Sequence, residues 1–556
     1  MTASLDNYLA THPALQPEIA GGQYGARRFP LVLPCLHKDR SFNAAWLVLP
    51  PEFPVTANAR IQFSPDAILR IPHVEFDGRL CIEGDPGPLS GAEAADRIEE
   101  LLQAFDEKFL RPWCTGLLDG DFAKEALNYW SIQCKRHRSP NDAVKFLYTL
   151  DERQSHPRIY DAQHLSIRRV VIAGVNAALT QRTVTALRQE KEQVTRVLVA
   201  DIPISHALTP HTWPQTQRQL ERLLQSRFGR QHALQFLSAT GRRGRKMHRI
   251  VLLRAPTCSF GFLLTGGPPT VVRRGITVRA YPTQRMVPLP VERMDPAWIC
   301  GRDQHPEITL RQRKRVLILG AGALGSPLAE QLTKAGVGEL TLVDPEQLAT
   351  ANIGRHVLGA NAIDYSKAGA LGRQLARGWP STEIKVFPYT AQTWFTKNHL
   401  DDIDLVLDLT GEPAVRSSCE AARRTASCPL LVGWMEPYAA AAHACLLPLG
   451  SSWLQSTIDP MRSLEAIDWP DAVIQQEPAC SSTFQSYTPS AAAYAVALIA
   501  EGALALLDDK INVPVIRSWV RGRKFLDDHY VNLAYRPWAE KAAPFDGVSL
   551  QRAWHG

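Results

Sequence analysis

Val316-Leu317-Ile318-Leu319-Gly320-Ala321-Gly322-Ala323-Leu324-Gly325 reads as a buried β-strand running straight into a glycine turn and then a helix. A short, wholly apolar run suits a strand covered on both faces, as in a parallel sheet. The glycines fall as Gly-x-Gly-x-x-Gly. Gly320 permits the tight turn, Gly322 lets backbone approach a phosphate, and Gly325 lets the helix pack close on the strand. The helix N-terminus then presents unpaired N–H groups and its positive dipole end to an anion. Asp344 ends the next apolar run, 19 residues past Gly325, where an acid can hold ribose hydroxyls. Taken alone, this motif suits a dinucleotide dehydrogenase as well as any other nucleotide-binding enzyme, and a Rossmann turn without a ligand is the bland alternative.

Outward from this stretch the chain keeps alternating. Leu340-Thr341-Leu342-Val343, Leu405-Val406-Leu407 and Leu430-Leu431-Val432 are further strands, and a long apolar helix covers about 489–507. Strands alternating with helices predict a doubly wound, parallel Rossmann-like domain over 301–556. Residues 1–150 differ. Short strands at 29–33, 44–49 and 60–63 are separated by Pro and Gly turns, and a helix follows at about 90–109, capped by Ser90 with Ala94, Ile98, Leu101, Leu102 and Phe105 on one face. Sheet followed by helix implies an α+β domain. Residues 151–300 carry strands at 169–173 and 196–200 and a helix near 214–227, and read as a mixed α/β linker domain without an assigned role. The expected architecture is therefore multidomain α/β.

The 556 residues exceed one core, at roughly 100–200 residues per domain. Hydrophobic content of 45% and charged content of 21% are those of a soluble protein, and no apolar run of about 18 residues without charge suggests a membrane span. The N-terminus lacks the basic-then-apolar pattern of a secretory signal. Ten scattered cysteines without a Cys-x-x-Cys pair argue for a reduced, cytoplasmic protein and against structural zinc. Cys419, Cys428 and Cys445 sit in apolar contexts and read as core. A net charge of +7 is mild for this length and does not suggest nucleic acid. The basic stretch 242–249 is either a solvated loop or a contact for an acidic partner or nucleic acid.

The residues after Asp344 discriminate. Leu342-Val343-Asp344-Pro345-Glu346-Gln347-Leu348-Ala349-Thr350-Ala351-Asn352-Ile353-Gly354-Arg355-His356 resembles the signature of the activating-enzyme superfamily, which includes the ubiquitin-activating (E1) enzymes and the adenylyltransferases ThiF and MoeB. Asn352 and Arg355 match, and His356 replaces a Gln. Lys367 stands where the family has a nucleotide-contacting lysine. Asp404-Leu405-Val406-Leu407-Asp408-Leu409-Thr410 resembles the strand leading to the magnesium-binding acid, but Gly411 occupies the usual acid position, so the Mg²⁺ ligand is Asp408 or Glu412. Arg302 resembles the arginine that the family projects onto the triphosphate, often across a dimer; a surface arginine is the other reading. The resemblance covers about 301–510 and implies ATP-Mg²⁺ and adenylation of a carboxylate. In thioester-forming members a cysteine precedes the apolar helix, and Glu477-Pro478-Ala479-Cys480-Ser481-Ser482-Thr483-Phe484 occupies that place. Cys480 is the expected nucleophile, capturing the activated acyl group; an ordinary loop cysteine is the alternative.

A second resemblance lies at the other end. Trp46-Leu47-Val48-Leu49-Pro50-Pro51-Glu52-Phe53-Pro54, then Ile71-Pro72-His73-Val74-Glu75-Phe76-Asp77-Gly78-Arg79-Leu80-Cys81-Ile82, looks like a ubiquitin-conjugating (E2) domain. Cys81 is the implied acyl carrier. The family's His-Pro-Asn reads Pro72-His73-Val74, so the oxyanion asparagine is missing, and His73 is either donor, base or a satisfied structural histidine. An E2 module ahead of an E1 module resembles the bacterial E2–E1 enzymes of anti-phage CBASS operons. That implies a partner activated through its C-terminus, either a CD-NTase-like nucleotidyltransferase or a ubiquitin-like protein, conjugation to a target lysine, and a homodimer. Two alternatives stay open: a sulfur-carrier adenylyltransferase whose N-terminal block only docks, and a non-catalytic adaptor that senses nucleotide.

Overall fold

The chain divides into two units, one formed by Met1–Val175 with Gln189–Glu292 and the other by Asn176–Arg188 with Arg293–Gly556. The structure, a computed structural model, describes residues 2–19, 25–33, 42–82, 94–239, 247–265, 270–272, 278–280, 285–454, 458–470, 473, 475–476, 483–484, 487–529 and 533–554.

The first unit opens with helix α1 (Thr2–Thr11) and an antiparallel sheet of β1 (Arg27–Pro30), β2 (Ala45–Leu49) and β3 (Arg60–Phe63). Burial alternates along β3, so Ile61 and Phe63 face the core. Helix α2 (Ala94–Ala104) lays Ile98, Leu101 and Leu102 on that face and continues as a wider turn through Phe105 and Phe109, whose rings stack at 5.7 Å. The expected cap Ser90 lies outside the described residues. Helix α3 (Ala126–His137) buries Tyr129, Trp130 and Ile132.

The unit's second sheet has eight strands. They are β4 (Phe146–Thr149), β5 (Arg158–Leu165), β6 (Val170–Ala173), β7 (Val194–Pro203), β8 (Arg249–Arg254), β9 (Ser259–Thr265), β10 (Arg285–Leu289) and β11 (Val291–Arg293), in the order β10-β9-β8-β7-β5-β6-β4-β11. Helix α4 (Ala177–Leu187), between β6 and β7, belongs to the other unit. Helix α5 (Gln217–Ser238) starts on a Thr216/Gln219 capping box and breaks at Gly229, where φ is +78°. One apolar core runs through the unit across position 150. Trp130 packs on Phe260 and Phe262 and donates its indole N–H to the Leu289 carbonyl at 3.2 Å. Of the basic stretch, 242–246 lie outside the described residues, and Arg249 is buried at the start of β8.

The second unit holds β12 (Arg315–Leu319), helix α6 (Gly325–Lys334), β13 (Glu339–Val343), α7 (Lys367–Gly378), β14 (Glu383–Phe387), β15 (Leu405–Asp408), α8 (Pro413–Arg423), β16 (Leu430–Met435), β17 (Ala441–Leu447), α9 (Pro489–Leu507), β18 (Val515–Val520) and β19 (Val548–Ala553). The sheet order is β14-β13-β12-β15-β16-β17-β18-β19. The first five strands run parallel, with α6 and α7 leading back to the next strand. The last three are antiparallel, which corrects a wholly parallel expectation. The reason is local: residues 436–440 join β16 to β17 directly, and so short a link cannot make the crossover a parallel pair needs. The chain leaves β12 toward β13 and β14, then returns to add β15 on the other side. That reversal makes the carboxyl ends of β12, β13 and β15 a topological switch point, the place where open α/β sheets bind ligands.

Among the described residues, α9 is the one helix long and apolar enough to cross a membrane, and most of it is buried. It packs Ala495, Val496, Ile499 and Ala503 into the core beside β12, β15 and β17. Cys419, Cys428 and Cys445 are buried, and the cysteines described form no disulfide.

Candidate functional site

At the switch point, the glycines of the loop after β12 have distinct reasons to be glycine. Gly320 has φ +89°, a left-handed conformation that L side chains rarely adopt. A Cβ on Gly325 would lie 1.9 Å from the Gly320 carbonyl oxygen, so α6 can start this close to the strand only with glycine there. Gly322 is different: a Cβ there would meet no protein atom within 4 Å. The protein has no steric need for glycine at 322, and the space left open lies at the start of α6, where a phosphate would sit.

Asp344 is buried past β13. Its Oδ2 accepts the Ala321 N–H at 2.7 Å and its Oδ1 the Glu346 N–H at 2.8 Å, so it holds the glycine loop from below. Burial pushes its carboxyl above the usual range, against the pull of those two N–H groups and of Lys367. Lys367, the first residue of α7, is also buried and pairs with the Glu346 carboxylate. His356 fixes the loop from a third side. Its Nε2–H donates to the Ala321 carbonyl at 2.7 Å and its Nδ1 accepts the Leu358 N–H at 3.0 Å, which sets the tautomer. Burial holds its pKa below the usual imidazole value. Asn352 Oδ1 caps its own turn by accepting the Ala349 N–H at 3.0 Å. The Arg355 guanidinium lies 5.1 Å over the Tyr487 ring. Arg302 is exposed at the end of the short helix Pro296–Gly301, in a left-handed conformation, with its guanidinium 5.5 Å from the Trp298 ring centre.

The two candidate magnesium ligands differ in setting. Asp408 ends β15 fully buried. Its Oδ1 accepts the Thr410 N–H and hydroxyl, while its Oδ2 has no hydrogen-bond partner and faces Arg416 Nη1 at 3.7 Å. Burial raises the Asp408 pKa. Glu412 is exposed at the N-cap of α8. Mg²⁺ takes one or two carboxylates and fills its octahedron with phosphate oxygens and water. Asp408 offers an inner oxygen that makes no hydrogen bond but is ion-paired with Arg416, and Glu412 an exposed carboxylate; each is a hard oxygen donor of the kind that demand calls for. Arg416, bound to Asp459 at 2.5 Å, and Glu346, paired with Lys367, lie beside these positions and are given no role by the motif, while His356, at the signature's Gln position, is the residue that binds the glycine loop. Cys480 lies outside the described residues.

The first unit has a separate site. Cys81 is exposed in a cavity of about 400 Å³ that it shares with His73, Lys108, Phe109, Leu118, Asp121, Lys124 and Glu125. Gly78, with φ +85° and no room for a Cβ beneath the Phe63 carbonyl, turns the loop toward the cysteine. The Cys81 N–H donates to the His73 carbonyl at 2.8 Å. His73 itself has φ +62°, and the Tyr129 hydroxyl accepts its N–H at 2.8 Å while donating to Glu125 at 2.8 Å. The ring is held as firmly: Nε2 meets Asp121 at 3.1 Å and Nδ1 meets Glu125 at 3.2 Å. Burial opposes the charge on Asp121, but hydrogen bonds from Lys124 and His73 outweigh it and keep that carboxyl below the usual range. Sequence brought His73 and Cys81 together; Asp121, Lys124, Glu125 and Tyr129 come from the helices that follow and carried no signal of their own.

The ThiF family model matches residues 307–438. The chain is 28% identical over 204 residues to the ATP-dependent ubiquitin transferase-like protein Cap2 of Pseudomonas aeruginosa, covering 35% of this chain and 36% of that one. It is 36% identical over 110 residues to the protein of the same name from Enterobacter hormaechei, 19% and 18% of the two chains. It is 32% identical over 111 residues to the adenylyltransferase and sulfurtransferase UBA4 of Candida albicans, 20% and 25%. The chain thus matches little more than a third of the length of these curated relatives, or less. A crystal structure of E. coli MccB with ATP covers 41% of this chain and 64% of its own, at 14% identity and a TM-score of 0.30. The second unit carries a ThiF-like module, and the chain is E1-like.

Proposed function

We propose, from the premise of an E1-like chain similar to the Cap2 proteins, that it activates a partner's C-terminal carboxylate with ATP and conjugates it through Cys480 and then Cys81 to a target amine. The observation that carries the reading is the combination, in one chain, of the open glycine cradle at Gly322 with an exposed Cys81 set in its own polar cavity.

In this reading the N–H groups at Gly322 and the start of α6 receive the phosphates, Asp344 faces the ribose, and Lys367, Arg355 and Asn352 approach the polyphosphate chain. Asp408 and Glu412 hold Mg²⁺, which when bound neutralises charge on the leaving pyrophosphate. The partner's carboxylate attacks the α-phosphate, and the acyl-adenylate is an electrophile that a thiolate can take. Fusing both thiols on one chain raises the effective concentration of the second for the first. The donor is a nucleotidyltransferase or a ubiquitin-like protein, and the setting is the reducing cytoplasm, in anti-phage defence. A homodimer is part of the proposal. The exposed side of α9, with Ala493 and Ala497, borders a groove of about 610 Å³ against α6 that a second copy would cover.

The test is intact mass spectrometry under non-reducing conditions, with the chain co-expressed with its operon neighbours and compared with Cys81→Ala and Cys480→Ala. A thiol-labile adduct on Cys81 that disappears in Cys480→Ala establishes the relay and weighs the donor. AMP transfer without any thioester sinks it. That outcome favours the second reading, a sulfur-carrier adenylyltransferase in which Cys81 is dispensable, and the similarity to UBA4 speaks for it.

A further inference from the structure

Acyl transfer at a cysteine passes through a tetrahedral oxyanion, which enzymes stabilise with preorganised N–H or O–H donors. In the loop beside Cys81, the residue where conjugating enzymes place a donor asparagine is Val74, apolar and fully buried. The neighbouring His73 is committed elsewhere: one ring nitrogen faces Asp121, the other Glu125, and its backbone N–H goes to Tyr129. Neither residue can turn a donor onto a thioester at Cys81 without breaking these bonds.

The cavity wall offers two ammonium groups in its place, Lys108 and Lys124, and the second is tied to the loop that carries the cysteine. Lys124 lines the cavity with Cys81, and its ammonium donates to Asp121 Oδ1 at 2.7 Å. The other oxygen of that carboxylate meets His73, whose carbonyl receives the Cys81 N–H. Lys124 is therefore tied through two residues to the backbone of the cysteine. An ammonium has three donors, and the bond to Asp121 engages one. The side chain is 77% exposed and lines the same cavity as Cys81, so its remaining donors are not buried away from that space.

We propose, resting on the reading of Cys81 as acyl carrier, that Lys124 is a catalytic residue that hydrogen-bonds the oxyanion formed when acyl groups enter and leave Cys81. On entry the thiolate attacks the acyl carbon, the C–S bond forms and the donor's leaving group departs with its electron pair. On discharge the amine nitrogen attacks, the C–N bond forms, the C–S pair returns to sulfur, and the amine proton passes to water. Lys124 meets the oxygen in both steps and keeps its own protons.

The experiment needs no partner. The full chain is treated with p-nitrophenyl acetate, and acetylation of the Cys81 peptide is followed by mass spectrometry, as is its discharge by free lysine. Iodoacetamide labelling of the same peptide is the comparison, because alkylation is a direct displacement without an oxyanion. Lys124→Met is expected to slow acetyl entry and discharge about a hundredfold, the usual effect of removing one oxyanion donor, while alkylation stays unchanged; Lys124→Arg keeps most of the rate. Thermal melting checks that both variants fold. Equal losses in acetylation and alkylation would overturn the proposal, since Lys124 would then act on the thiolate. No loss in either would also overturn it. A wild-type chain that takes no acetyl group on Cys81 overturns the carrier reading and this one together, whereas a missing ATP-dependent adduct with intact acetyl transfer counts against the relay alone.

Discussion

Gly322→Ala and Gly325→Ala put the same methyl group three residues apart, and the structure predicts different outcomes for stability. At 322 the new Cβ touches no protein atom within 4 Å. The folded chain should hardly notice, with a stability change within about 0.5 kcal/mol. If phosphates use this space, the methyl group pushes them off at least one N–H. A hydrogen bond to a charged group contributes about 1.5–3 kcal/mol, and each 1.4 kcal/mol is roughly tenfold in affinity, so nucleotide binding should weaken about tenfold to a hundredfold. At 325 the Cβ would sit 1.9 Å from a backbone carbonyl oxygen, far inside the 3.0 Å below which such contacts are essentially never seen. Alanine gains about 1 kcal/mol of helix propensity over glycine, but overpacking against a group that cannot rotate typically costs about 1–3 kcal/mol or more. Gly325→Ala should therefore lower the melting temperature as well as binding. The assays are calorimetric titration with a non-hydrolysable ATP analogue and Mg²⁺, and thermal unfolding of both variants. Wild-type nucleotide affinity in a folded Gly322→Ala protein would refute the cradle.

Glu436 is fully buried and accepts from His443 Nε2, the backbone N–H groups of Ala466 and Ile467, and Trp469 Nε1 at 2.7 Å. Glu436→Ala strands those donors and should destabilise the second unit by about 3–5 kcal/mol, read from the urea midpoint; a loss below about 1 kcal/mol would contradict the network. Burial, reinforced by Glu436, pushes the Glu465 carboxyl from 4.5 up to about 7. The folded state thus keeps a proton that the unfolded chain releases, so this contribution to stability is full below pH 4.5 and is lost as pH rises through about 7. Glu465→Gln should flatten that part of the profile in denaturation series at pH 5 and pH 8, and an unchanged slope would show that another group is responsible. Tyr129→Phe removes the acceptor of the His73 N–H and should cost about 1–3 kcal/mol. It should also change the rate at which iodoacetamide labels Cys81, because the left-handed turn at His73 that positions the cysteine is then unsupported; an unaltered rate would separate the two residues.

The parallel half of the second unit was legible because its signals are local. A four-residue apolar run, a glycine turn and an acid at the next strand end lie within thirty residues, and each has one conformation that satisfies it. The antiparallel half was not, because β17, β18 and β19 are far apart in sequence, with α9 between β17 and β18, and the reversal begins at the short link 436–440 that sets the direction of β17. In the first unit, strands β1 to β3 and helix α2 followed from alternation and helical spacing. What periodicity could not see is that Trp130 packs against Phe260 and Phe262, partners about 130 residues away that tie both halves of the unit to one core.

The two sites divide along the same line. The nucleotide loop is a backbone device, so its glycines mark it wherever they occur, yet the motif marks His356 only as a replaced Gln and gives Glu346 no role, and these two act through contacts to Ala321 and Lys367. The cysteine site is a side-chain device. Pro72-His73-Val74 says nothing of the side chains around the cysteine, and these include Asp121, Lys124 and Glu125, with Tyr129 behind His73, some fifty residues on and without a spacing that distinguishes them from a solvated helix. With both His73 nitrogens held by carboxylates, a free histidine base is the least favoured of the roles its sequence allowed. If Cys81 carries acyl groups as proposed, the groups that hold this ring and the lysine bound to one of them are the residues to test there.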